Sequence, residues 1–122
     1  MSDPVTRKRW ARIRIIAFWW FAALIIAGSL MPAVYIPESG LSDKVGHVIA
    51  YAILTALGLY AYPRHTRTVL AGVFTLSVAL EGLQHLTPTR TFEWLDIAAN
   101  GAGVVLGLVI VTIARNARRQ GA

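Results

Sequence analysis

Residues 95–114 read LDIAANGAGVVLGLVIVTIA, and this stretch decides the fold. A transmembrane helix needs about 20 mainly apolar residues, and this run meets that length with Asp96 as its single charge. Its residue pattern also predicts how it packs. Gly103 and Gly107 form a G-x-x-x-G pair, and Ala99 extends the row of small residues. Such a ridge lets another helix approach closely. Packing inside one bundle accounts for it more simply than dimerisation.

Three further stretches qualify in the same way: Ile13–Met31, Val45–Tyr62 and Val69–Leu86. Several carry β-branched residues, but their lengths fit helices better than strands. Pro32 and Pro37 follow the first, Pro63 ends the second, and Pro88 lies just beyond the third, where proline breaks are expected. The reading is therefore all-α: a polytopic membrane protein with a four-transmembrane-helix bundle, in a single domain over residues 1–122.

The bulk properties agree. Hydrophobic residues make up 56% of the 122 residues and charged residues 15%, and the mean hydropathy is +0.56. That balance is too apolar for a small soluble domain. Cysteine is absent, which removes disulfides, thiolate metal sites and thiol nucleophiles. The net charge of +6 invites a nucleic-acid reading, but the basic residues flank apolar segments and form no stripe. They read as topology determinants that also meet anionic lipid, and no nucleic acid is expected as a partner.

Their distribution sets an orientation. Arg7, Lys8, Arg9, Arg12 and Arg14 precede or enter the first span, Arg64 and Arg67 join the second to the third, and Arg115, Arg118 and Arg119 follow the fourth. Ten of the twelve Lys and Arg residues thus fall on one side, and Lys44 and Arg90 on the other. The positive-inside rule makes both termini cytoplasmic and turns the loops around Lys44 and Arg90 outward. A basic start followed by an apolar run also resembles a signal peptide. The run is long for that, and no small-x-small cleavage pattern follows it, so an uncleaved first helix is expected. Trp19, Trp20 and Tyr35 read as lipid-facing or interfacial anchors.

Against this apolar background the polar residues gather at one depth. Lys44, His47 and Tyr51 are spaced three and four apart and share a helical face; Asp43 stands beside them. Glu81, Gln84 and His85 lie near the end of the third span, with Ser77 one turn deeper, and Asp96 and Asn100 are four apart at the start of the fourth. At about 1.5 Å per residue, Glu81 lies roughly 7 Å inside its helix end, and His47 and Asn100 roughly 4–8 Å inside theirs. Arg90 is on the short loop between the third and fourth spans. Plainer duties exist for each. Asn100, Gln84 and Ser77 can serve as glue between helices, Asp43 and Asp96 can cap helix starts, and Lys44 can snorkel. Glu81 and His47 are harder to explain that way, because a carboxylate inside a span needs a partner.

The ordered set Asp43-Lys44-x-x-His47-x-x-x-Tyr51, Glu81-x-x-Gln84, Arg90, Asp96-x-x-x-Asn100-x-x-Gly103-x-x-x-Gly107 resembles the VanZ-like family of small bacterial membrane proteins. The resemblance runs over about the last two thirds of the chain. The family is named for a protein associated with teicoplanin resistance. It implies a multi-pass protein of the bacterial inner membrane whose outward-facing site matters to the cell envelope. It supplies no reaction, and residues 91–95 match no feature of it.

HExxH, P-loop, G-x-S-x-G and G-x-G-x-x-G motifs are all missing, which removes the common chemistries they carry. Three functions remain. In the favoured one, Lys44 and Arg90 hold the phosphate or carboxylate of an anionic lipid or cell-wall precursor headgroup, and Tyr51, Gln84 and Asn100 orient it. In the second, the protein is an enzyme on such a substrate: Glu81 or Asp96 orients His47, and His47 moves a proton. In the third, the polar set only fixes a structural or partner-binding bundle. No cofactor is expected. Metal binding by His47, Glu81, His85 and Asp96 is the weaker reading, because Lys44 and Arg90 add positive charge to the same place. No metal ligand is assigned.

Overall fold

The computed structural model describes residues 3–31, 41–86 and 94–121. These form four helices: α1 (Pro4–Leu30), α2 (Leu41–Ala61), α3 (Thr66–His85) and α4 (Trp94–Gln120). Each is long and apolar enough to cross a membrane. Among the described residues there is no strand. The all-helical fold class expected from the four apolar stretches is therefore the one observed.

The outer two helices are longer than their apolar windows. α1 begins at Pro4 rather than Ile13, because Asp3 caps it. The Asp3 side chain accepts a 2.7 Å hydrogen bond from the Thr6 backbone N–H, and Pro4 occupies the first helical position, where its missing N–H costs nothing. That bond also holds the Asp3 carboxyl below the usual carboxylate range. α4 runs past Ala114 to Gln120, with Arg118 and Arg119 in its last turn, where cations suit the negative end of the helix dipole.

α2 is the hub. It packs against α1, α3 and α4, most extensively against α4, whereas α1 and α4 do not pack on each other. The reason lies in the glycine ridge of α4. A Cβ built on Gly103 would stand 2.5 Å from the Val48 carbonyl oxygen, and one on Gly107 would stand 2.6 Å from that of Ala52. Both neighbours are backbone, so the helices can come this close only where α4 has no side chain. The ridge works inside the bundle, as expected. The pairings Lys44 with Asp96, His47 with Asn100, and Ala52 with Gly107 advance together along both helices. α2 and α4 therefore run parallel, with their first turns side by side.

Leu54, Leu59 and Val111 are fully buried at the centre of the bundle, with Phe18, Val69 and Val73 around them. Away from the basic ends, the outward faces are apolar: Ile16, Trp20, Leu24, Val105, Val109 and Ile113 are all exposed, as lipid contact requires. At the far end, Arg115 Nη2 donates to the Leu59 carbonyl at 2.8 Å, which satisfies one of the orphan acceptors at the end of α2. Trp19 is exposed, and its indole N–H donates to the Tyr62 hydroxyl at 2.9 Å, tying α1 to α2.

Candidate functional site

The two parallel first turns build the site. Lys44 and His47 stand three residues apart on the face of α2 that meets α4, and Asp96 and Asn100, four apart, stand opposite them. The Lys44 ammonium donates to Asp96 Oδ1 in a short ion pair and lies 4.0 Å from Asp43 Oδ2. One turn deeper, the His47 Nδ1 and Asn100 Oδ1 are 2.8 Å apart. The amide oxygen can only accept, so Nδ1 carries the proton. The other ring nitrogen, Nε2, lies 3.7 Å from Asp43 Oδ2.

Exposure grades from mouth to floor. The Asp43 side chain is 44% exposed and that of Asp96 11%, while Lys44 and His47 are intermediate. Asn100 and Glu81 are each 2% exposed and form the floor. Glu81 belongs to α3 and points into the bundle, not to lipid, as its cost in hydrocarbon demands. Its carboxylate bears electrostatically on the buried Tyr51 hydroxyl of α2. Glu81 thus brings the third helix to the same cluster.

The remaining expected residues fall differently. Gln84 is buried but turned towards α1: its Nε2 donates to the Ser29 carbonyl at 2.8 Å. That contact gives α1 a part in the site end of the bundle through its backbone, which no side chain of α1 announced. Ser77 is buried and donates to the Phe74 carbonyl of its own helix at 2.7 Å. His85 is exposed. Arg90 lies outside the described residues. Thr55 continues the α2 stripe one turn below Tyr51; it is fully buried, and its hydroxyl has no hydrogen-bond partner among the described residues. The sequence reading stopped the stripe at Tyr51, although the four-residue spacing runs on to Thr55.

Asp43 is the residue whose weight changes most. The sequence reading placed it beside the polar set, with a helix cap as its plainer duty. In the fold its carboxylate, the His47 ring and the Asp96 carboxylate offer one ligand atom each, all within 4.8 Å of one another. Among the described residues, Glu81 and His85 are not part of such a group. The metal-capable set is therefore not the one that the sequence suggested.

Four apolar helices closed around a buried carboxylate, an imidazole–amide pair and a lysine–aspartate pair define a multi-pass membrane protein with a polar centre at one end. The chain belongs to the VanZ/LLP1 family, whose model matches residues 2–115. The match takes in the first helix as well as the three that carry the ordered polar set. No curated protein and no solved structure matches the chain.

Proposed function

We propose that this protein sits in the bacterial inner membrane with both termini in the cytoplasm, and that its polar centre faces outward and binds the anionic headgroup of a lipid or cell-wall precursor. The observation that carries this reading is the parallel pairing of α2 and α4. It sets two helix N-termini side by side, and N-terminal N–H groups together with the helix dipole favour an anion. Lys44 adds a cation at the same mouth, and Arg90 is encoded on the α3–α4 connection. Tyr51 and Asn100 supply orienting hydrogen-bond groups below. The ten-to-two distribution of basic residues supports the orientation.

A second reading is favoured by one specific contact. Asn100 holds the His47 ring through Nδ1, which turns Nε2 to a partly open position, and an imidazole there suits proton transfer. In an enzyme on the same headgroup, His47 acts as the base, and Asp96 and Glu81 set the local field.

The test uses purified protein in nanodiscs and a labelled polyprenyl phosphate. Binding that weakens at least tenfold in Lys44→Gln, with His47→Gln nearly unchanged, supports the binder. Binding kept but turnover lost in His47→Gln supports the enzyme. If neither binding nor turnover is seen, the headgroup reading fails. In cells, the envelope role predicts altered susceptibility to glycopeptides such as teicoplanin at equal membrane abundance.

A further inference from the structure

We propose that Asp43, His47 and Asp96 form a divalent-metal site of the zinc class at the mouth of the polar centre, with the Lys44 ammonium as the cation that a metal displaces.

The geometry comes first. The three ligand atoms lie within 4.8 Å of one another. Ligand atoms at about 2.1 Å on one tetrahedral ion stand roughly 3.4 Å apart, so side-chain rotation has to draw the widest pair inward by up to about 1.4 Å. One nitrogen and two carboxylate oxygens suit zinc and its neighbours and leave at least one coordination position open.

The tautomer is a second observation. A metal-bound imidazole needs a deprotonated nitrogen towards the ion and a fixed N–H behind it. Asn100, almost fully buried, accepts from Nδ1, and Nε2 faces Asp43 Oδ2 at 3.7 Å. Nε2 and Asp43 Oδ2 are thus turned to the same side, where one ion reaches both.

Charge is the third. Asp43 and Asp96 both face the Lys44 ammonium. Lys44 already lies against two of the three proposed ligands, so both carboxylates face a cation with or without the ion, and the tethered ammonium swings towards the open mouth when an ion enters. The site stands on these residues alone and does not need the headgroup reading.

The experiment uses full-length protein in detergent, without a histidine tag, stripped with chelator and with no lipid ligand added. Titration with Zn2+ by calorimetry and with Co2+ by visible absorption is expected to show one bound ion per chain. His47→Gln and Asp96→Asn should each weaken binding at least tenfold, and His65→Ala and His85→Ala should leave it unchanged. Lys44→Met should tighten it, because the competing ammonium is gone; a merely structural Lys44 would not do this. The proposal is overturned if neither wild type nor Lys44→Met binds an ion, if Lys44→Met binds no tighter than wild type, or if binding survives in folded His47→Gln and Asp96→Asn. Zn2+ binding without polyprenyl phosphate binding leaves this site standing and removes only the headgroup reading; the reverse result removes only this site.

Discussion

The imidazole of His47 and the amide of Asn100 join α2 to α4 at 2.8 Å, one turn deeper than the Lys44–Asp96 ion pair. The two contacts repeat at the helical spacing on both partners. They lock the register of two parallel helices and anchor the His47 ring through Nδ1 in the same step. Replacing Asn100 with Leu leaves the Nδ1–H without its acceptor, at a cost of about 1–3 kcal/mol. Nitrogen NMR of labelled His47 should show the Nδ1–H form in wild type and a mixture in Asn100→Ala.

The Lys44–Asp96 pair is partly open to the mouth, so it should contribute less than the about 3–5 kcal/mol lost when a fully buried pair is broken. Lys44→Asp and Asp96→Lys should each destabilise the protein in detergent by roughly 1–3 kcal/mol. The double exchange should recover part of that loss. Thermal unfolding of the four proteins measures the coupling.

Glycines in α3 and α4 should answer substitution differently. Gly103→Ala and Gly107→Ala drive a methyl into the backbone carbonyls of Val48 and Ala52, and each should cost about 1–3 kcal/mol. Gly82 has open space around a built Cβ, so Gly82→Ala should be neutral or stabilising by up to about 1 kcal/mol. Midpoints of thermal unfolding in one detergent rank the three.

Glu81→Gln keeps the hydrogen-bonding shape of a buried side chain and should leave the fold intact while impairing the envelope phenotype. Glu81→Leu should be destabilised in comparison, because the groups that meet the buried Glu81 carboxylate lose their polar partner. Membrane abundance scored beside phenotype separates the two effects.

Orientation is testable with single cysteines at Ser39 and Thr66 in this cysteine-free chain. An impermeant thiol reagent should label Ser39→Cys but not Thr66→Cys in intact cells. Labelling of Thr66→Cys alone would invert the proposed topology.

By itself the sequence determined that four helices form and roughly where they lie, because hydrocarbon demands long apolar runs and tolerates few charges. It also marked Gly103 and Gly107 as a contact ridge and placed Lys44, His47, Glu81, Asp96 and Asn100 at one depth, since depth follows from counting residues along a helix. Who faces whom was not legible. Spacing says which side chains share a face of one helix, but not which neighbour that face meets. Only the packed bundle decided that α4 seats its glycines on α2, and so pairs Lys44 with Asp96 and His47 with Asn100. It also turned Gln84 to the Ser29 carbonyl, a partner with no side-chain signature. Asp43 moved from helix cap to possible metal ligand for the same reason: its place in the chain is local, but the Asp96 carboxylate it meets lies on another helix, brought there by a backbone approach that glycine alone permits.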